Sequence, residues 1–332
     1  VSMPEVLEKA GQAAGWVKTG QGWQREASLG LPVEGQNKEG TLRRGLGFAI
    51  GFKNVGFSYG APENSWATVE LKGGAEIEEV VVRQAAAEVG QGSHTAIAQM
   101  AAEAVGVPLE KIKLITADTA FTDNSGSVSA SRMTFMAGNA VKGAAEIALE
   151  RWKNEDRPAY GRFQYRPPRT TPLDPMTGKS EPNFAYGYVA EAVEVEVDTE
   201  TGQVRLLRAI CVDDVGKAVN PSQVKGQVEG AVVQAGGYAV LENFVQKDGY
   251  TLTPGLSTYL IPTILDIPDQ VDSIILEYPD PIGPYGARGM GEMPYLPLTP
   301  AIVHAVHSAT GVWFDEFPLI PERVFYGLQA KR

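Results

Sequence analysis

The sequence is poor in metal-binding and redox residues, with one cysteine and three histidines in 332 positions. A lone thiol closes no internal disulfide. It also cannot hold an iron–sulfur cluster, which takes several thiolates. Cys211 sits in the apolar run "LLRAICVDDVG" and reads as a small buried residue. His94, His304 and His307 show no metal-site spacing with cysteine or paired acids. No apolar run approaches the ~18–20 residues of a membrane span, so a membrane setting is not expected. No Lys/Arg cluster appears, and the formal net charge is −11. A nucleic-acid binder would carry a basic face, so that class is set aside too. No secretory signal opens the chain, which points to the cytoplasm. Repeat periods, low-complexity tracts and a strand-borne Gly-x-Gly-x-x-Gly fingerprint are likewise missing.

What remains is an ordinary globular composition, 43% hydrophobic and 21% charged, long enough for about two domains. Glycine is abundant, at 37 residues. "MPEVLEKAGQAAGW" reads as a short helix, followed by a polar connection through residue 30. Residues 43–57 and 65–73 alternate as strands do. "EIEEVVVRQAAAEVGQG" reads as a strand running into glycine, and 93–106 as a helix stopped by Gly106 and Pro108. "KIKLITADTA" is a further strand, and 131–154 a long helix. Residues 154–184 hold six prolines and weak periodicity, which marks a crossing segment. Then "AYGYVAEAVEVEVDTETGQVRLLRAICVDDVG" reads as a hairpin turning at 198–202. A helix capped near Asn220 or Ser222 and the strand "SIILEYPD" follow. A closing helix is expected from Ala301, with Thr299 as its cap. The fold class expected is α+β: a first subdomain over 1–155, a crossing segment over 156–184 and a second subdomain over 185–332.

Four short segments carry polar groups on glycine-rich turns. "GARGMGEMPYLPLTP" places a single acid, Glu292, on a glycine loop before a helix. Its neighbours Met290, Met293, Pro294 and Tyr295 are weakly polar, surroundings that favour a general base. "EVGQGSHT" brings Gly90, Gln91 and Gly92 to a helix start, where backbone amides suit a phosphate. "GSVSASR" sets three hydroxyls and Arg132 before the next helix, and "KGQVEGAVVQAGG" carries Gln227 and Gln234 among small residues. Each segment alone fits a plain turn or cap. His304 and His307, three apart on the closing helix, could face one ligand but fit a packed helix face better.

Taken in order, EVGQGSHT, NSGSVSASR, VDDVGKAVNPSQVKGQVEGAVVQ and GARGMGE resemble the molybdenum-binding subunit of the xanthine dehydrogenase and aldehyde oxidase family. The resemblance runs from about residue 40 to the end and implies that family's molybdopterin-binding fold, with two α/β subdomains and mixed sheets. It implies that Glu292, beside Gly291, is the base activating a molybdenum-bound hydroxyl. It implies that Gly90, Gln91, Gly92, Ala130, Ser131 and Gln227 hold the pterin and its phosphates, with His94, Thr95, Ser129 and Arg132 as further cofactor contacts. No side chain is expected to ligate the metal directly. The cofactor implied is molybdopterin carrying molybdenum, in the cytosine dinucleotide form of many bacterial members. The reaction implied is hydroxylation of a carbon in an N-heterocycle or an aldehyde, with electrons leaving to FAD and [2Fe–2S] partner subunits.

The Phe-Gly-Gly-type and arginine loops that precede this region in the family are not found here. The chain therefore reads as a fragment or as one of two subunits, with a second molybdopterin subunit as partner, an arrangement resembling nicotinate dehydrogenase. Met293-Pro294 stands where the family often has two prolines. A cofactor carrier without catalysis is the rival reading, and it would have no use for Glu292.

Overall fold

The computed structural model describes residues 2–25 and 40–330. Residues 26–30 of the expected polar connection lie outside the described residues. Helix α1 is Met3–Ala13, and the small hairpin that follows is β1 (Trp16–Thr19) and β2 (Gly22–Arg25). Next come β3 (Leu42–Asn54), β4 (Ser65–Gly73), β5 (Ile77–Arg83), α2 (Ser93–Val105), β6 (Ile112–Ile115), α3 (Met133–Lys153) and β7 (Ala159–Tyr165). The long hairpin β8 (Tyr186–Asp198) and β9 (Val204–Asp214) leads to α4 (Pro221–Val240). The short pair β10 (Gln246–Lys247) and β11 (Tyr250–Thr251), then β12 (Gln270–Leu276), α5 (Tyr295–Thr310) and α6 (Pro321–Ala330) complete the chain.

Two four-stranded mixed sheets organise these elements, in the orders β6-β5-β4-β7 and β12-β9-β8-β3. Each has a central antiparallel hairpin with one parallel edge strand beside it, β6 along β5 and β12 along β9. A parallel neighbour needs a crossover, and α2 and α4 supply it. The following helix packs beside the crossover helix on the same face of its sheet, α3 against α2, β4 and β7, and α5 against α4, β8 and β3. The order strand, strand, helix, strand, helix therefore occurs twice, a duplication that no sequence period betrays. What the copies share is close backbone packing. A Cβ on Gly161 of β7 would lie 2.0 Å from the Ala144 carbonyl of α3. A Cβ on Gly47 of β3 would lie 1.9 Å from the Ala301 carbonyl of α5. Small residues let helix and strand meet there.

The sheets do not divide at the expected crossing segment. β3, inside the expected first subdomain, pairs along its whole length with β8, from Leu42↔Asp198 to Asn54↔Tyr186. Helix α1 packs Val6 and Ala10 against Ala190 and Val212 of that same sheet. β7, inside the expected crossing segment, completes the other sheet against β4. Edge pairing is decided by which strand end is open, not by nearness in sequence.

Other expectations hold locally. The β8–β9 turn closes at 198–202, with Gly202 at φ +78°. Gly106 ends α2 in the left-handed conformation, and the Asn220 side chain caps α4 by accepting from the Gln223 amide at 3.0 Å. Cys211 is fully buried on β9. Two expectations fail. β5 ends at Arg83, so no strand reaches the Gly-Gln-Gly turn. Helix α5 begins at Tyr295 and runs through Pro300, and Thr299 lies inside it. Burial of Pro297, Leu298 and Thr299 outweighs the missing proline donor, since Pro300 itself is exposed. His304 and His307 stack on Trp313, with the His307 ring 3.8 Å from it.

The core beneath α4 and α5 holds an anomaly. Asp213 of β9 is fully buried, and neither of its carboxyl oxygens has a hydrogen-bond partner among the described residues. Burial pushes its pKa from 3.8 up to about 8. Glu191 of β8, also fully buried, is pushed well above its ordinary range, by burial first and then by nearby Asp213. A folded pKa above the unfolded one means the native state binds more protons in between. Stability is therefore full below 3.8 and declines as pH rises toward about 8. Each such group lowers it by up to about 1.4 kcal/mol per pH unit. Asp213→Asn should make this decline shallower in urea unfolding followed across that window. An unchanged slope would show that Asp213 is not protonated in the fold.

Candidate functional site

The duplicated order places four loops alike. Each runs from a strand into a helix: β5 to α2, β6 to α3, β9 to α4 and β12 to α5. Such crevices beyond strand C-termini, rich in helix N-termini, suit ligands in mixed α/β folds. Here they enclose one cleft of about 370 Å³. Gln91, Gly92, Ser129, Ser131, Arg132, Gln227, Gly291 and Glu292 all line it. Gly90, His94, Thr95 and Ala130 stand behind these loops and are not part of the lining.

The closest approach in the cleft joins the α3 and α5 loops. A Cβ on Gly289 would come 1.5 Å from the Ser131 carbonyl, so only glycine fits. Ala130 and Ser131 both adopt left-handed φ, +52° and +49°. The turn aims the Ser131 hydroxyl at Glu292, and it donates to Oε2 at 2.8 Å. The Glu292 amide returns a hydrogen bond to Ser131 Oγ at 3.2 Å. Lys53 of β3 also reaches Glu292 Oε2, at 3.3 Å. No hydrogen bond from the described residues meets Oε1. Glu292 is thus not in the apolar surroundings expected of it: its side chain is half exposed and meets a hydroxyl and an ammonium. Met293, by contrast, is fully buried, and Gly187 makes room for it, since a Cβ there would lie 2.5 Å from Met293 Sδ.

The α5 loop is held from below. Arg288 pairs with Asp214 at 2.5 Å and Asp280 at 3.2 Å. Asp280 also accepts from the Ile282 and Gly283 amides, both at 3.0 Å.

Several expected ligand donors are engaged within the fold: the α2 amides, Gln91, His94 and Arg132. The amides at the start of α2 hold no open anion site, because Glu88 fills it. Its Oε1 accepts from Gly90 and Gly92 at 3.0 and 2.8 Å, and its Oε2 from His94 at 3.1 Å. Burial works to raise the Glu88 pKa, but these amides together hold it below 4.5. Gln91 is also turned inward, donating to the Ala87 carbonyl at 2.8 Å and accepting from the Val89 amide at 2.7 Å. His94 binds the Ala86 carbonyl through Nε2 at 2.7 Å. Arg132 is almost wholly buried and spends all five N–H groups on Glu63 and on the carbonyls of Asn64, Ser125 and Ser127. It shapes the serine loop rather than meeting a ligand.

Lys53, Gln223 and Arg288 join the site without having been singled out from sequence. Gln223 lies one helical turn before Gln227 and packs on Gly92, where a Cβ would meet it at 2.7 Å. That i, i+4 spacing was a readable signal. Lys53 carried none, because it comes from a distant edge strand.

The family model for the molybdopterin cofactor-binding domain matches residues 31–161 and 152–268. The chain belongs to the molybdopterin cofactor-binding domain family. Aldehyde oxidoreductase of Megalodesulfovibrio gigas is 32% identical over 90% of this chain and 34% of its own length. The xanthine dehydrogenase molybdenum-binding subunit of Escherichia coli O157:H7 is 30% identical over 97% of this chain and 45% of its own. The aldehyde oxidoreductase structure from Desulfovibrio desulfuricans superposes with a TM-score of 0.84 at 28% identity, over 98% of this chain and 35% of that one. The chain thus spans between a third and a half of the length of these relatives.

The lining fits a flat, hydrogen-bonding group such as a pterin, offering the amide of Gln227, the Ser129 hydroxyl and glycine backbone. Gly291 lies beside that amide, where a Cβ would come 3.4 Å from Gln227 Oε1. Phosphates do not fit at α2 while Glu88 is there. Lys217, paired with Glu277 at 3.1 Å, is the exposed cation of the lining. Among the described residues no group of three or more His, Cys, Asp or Glu side chains could hold a metal, and no helix is long and apolar enough to cross a membrane.

Two substitutions test this geometry. Gly289→Ala should force the α3 and α5 loops apart, costing ~1–3 kcal/mol as overpacking does. A cost near zero in thermal unfolding would show that the loops do not touch. Glu88→Gln keeps the shape but loses charge at the helix start. It should cost about 0.5–1 kcal/mol after allowing for solvent screening. A depressed carboxyl contributes stability above its unfolded value of 4.5 and loses it as pH falls through the folded pKa. The difference between variant and parent should therefore vanish in acid.

Proposed function

We propose that this chain is the catalytic, molybdopterin-holding part of a molybdenum hydroxylase, with Glu292 as its base. The observation that carries this is the meeting of Glu292 with Ser131 across the cleft. A carrier would need the polar lining but no carboxylate with an uncommitted oxygen. When bound, the molybdenum–pterin group would supply oxygen transfer and take up electrons from substrate. The chain's residues do the rest. Gln227, Ser129 and Gly291 hold and orient the pterin edge. The buried Arg132–Glu63 pair keeps the serine loop rigid. Glu292 accepts a proton at Oε1 as the substrate carbon gains its water-derived oxygen.

The substrate class proposed is an N-heterocycle or an aldehyde, and the cofactor the cytosine dinucleotide form. A second molybdopterin subunit completes the cage in the cytoplasm, in a layout like nicotinate dehydrogenase. FAD and [2Fe–2S] subunits take the electrons, since one cysteine cannot hold a cluster.

In the assembled complex, Glu292→Gln should lower kcat per bound molybdenum by ~10²–10⁴-fold, the usual worth of general base catalysis. Molybdenum and pterin content should stay at the parent level. Reduced loading with unchanged turnover per molybdenum would make Glu292 structural and overturn the proposal.

A further inference from the structure

We propose that Lys53 is the positioning residue of this site: it fixes Oε2 of Glu292 and so leaves Oε1 as the proton-accepting atom. The inference rests on the reading of Glu292 as the base.

Lys53 lies near the end of β3, opposite Gly187 in register. Its side chain is only 14% exposed, unusual for a lysine. An ammonium has three N–H donors. Two are taken by its neighbour Asn54, the backbone carbonyl at 2.9 Å and Oδ1 at 3.0 Å. The ammonium also stands 3.3 Å from Glu292 Oε2, an ion pair rather than a hydrogen bond. Asn54 is itself pinned, donating to the Gly56 carbonyl at 2.6 Å and to Ser58 Oγ at 3.3 Å. The ammonium is therefore held from behind before it meets the carboxylate. Among the described residues, Glu292 is the one carboxylate within ion-pair distance of Lys53.

Lys53 does not line the cleft, so it has no contact with a ligand there. Its reach is through Glu292. Ser131 donates to the same oxygen, so a hydroxyl and an ammonium converge on Oε2, while no hydrogen bond from the described residues meets Oε1. For the carboxylate to exchange its two oxygens, both contacts must break, so they favour one orientation. That rigidity is what a base needs when a proton must be taken from one fixed direction. The donors also come from different parts of the fold: Ser131 precedes α3, whereas Lys53 belongs to the strand on which α5 packs. Glu292 is thus clamped between the two halves.

The test uses the assembled complex, with Lys53→Met removing the donor and Lys53→Arg retaining a cation. Lys53→Met should lower kcat per bound molybdenum by about ten- to a hundredfold, the worth of a close charged contact. KM and cofactor content should be little changed, and Lys53→Arg should recover most of the loss. The double variant Lys53→Met/Glu292→Gln should be no slower than Glu292→Gln alone, because Lys53 acts only through that carboxylate. Additive losses, or parental turnover in Lys53→Met, would overturn the proposal.

A second readout needs no turnover. The labelling rate of Lys53 by an amine reagent, followed by peptide mass spectrometry, should rise in Glu292→Gln relative to the parent. An unchanged rate would mean the contact is not made, and the positioning role fails whatever the kinetics. If instead Glu292→Gln keeps parental turnover while Lys53 labelling rises, the contact stands but the base assignment falls, and this inference with it.

Discussion

The site depends on one backbone contact, Gly289 laid against the carbonyl of Ser131. Glu292 lies three residues beyond Gly289, and the Ser131 side chain leaves from the residue whose carbonyl is touched. Fixing that contact fixes the acid against the hydroxyl. It also ties the two sheets together, since Ser131 leads into a helix of one and Gly289 into a helix of the other. Arg288, next in sequence to Gly289, is anchored to Asp214 at the end of β9 and to Asp280 past β12. The loop is therefore pinned by ion pairs below and by close backbone approach above.

The duplicated strand–helix order explains why the cleft exists at all. Both halves present helix N-termini on the same side, so unpaired amides collect there. The protein satisfies many of them itself. Glu88 takes those of α2, and Asn220 caps α4. A cleft left with open amides would bind any anion. With these filled, what remains is a mostly neutral set of donors and acceptors, together with Glu292 and the cation of Lys217. That is a filter for shape and hydrogen-bond pattern rather than for charge, and it suits a cofactor held along its heterocyclic edge.

Local rules read much of this from sequence. The β8–β9 hairpin, the Gly106 stop and the Asn220 cap follow from residues within a few positions of each other. The four site segments were legible for a similar reason, because each is a turn rich in glycine and small polar groups. Distant pairing was not legible. β3 and α1 belong to a sheet built mostly from residues after 185, and nothing in "RRGLGFAIGFKN" names β8 as its neighbour. Lys53 was missed because the neighbours of its strand were not legible. Glu88 was passed over because the amides beside it suggested a ligand, when a carboxylate two residues away could reach them first. The start of α5 was misplaced because Pro297 and Pro300 read as a first turn capped by Thr299, when the helix begins earlier, at Tyr295.

Placing Glu292 has an energetic cost, borne by the backbone of the loops around it. Ala130, Ser131 and Tyr285 hold left-handed φ without being glycine. Such residues cost of order 1–3 kcal/mol each and persist only where their surroundings dictate them. Here the surroundings do so by hydrogen bonds. Arg132 gathers the carbonyls of Ser125 and Ser127 with one guanidinium nitrogen, and the Ala130 carbonyl accepts from the Gly56 amide at 2.8 Å. Tyr285 is bracketed by the Asp280–Gly283 bonds and by the Lys217 amide, which donates to the Gly286 carbonyl at 2.7 Å. A loop selected only to connect elements would relax by substituting glycine at these positions or by dropping the turn. Glycine at 131 would relieve the strain and lose the hydroxyl. The strained turn keeps a side chain there, and that side chain is the one that meets Glu292.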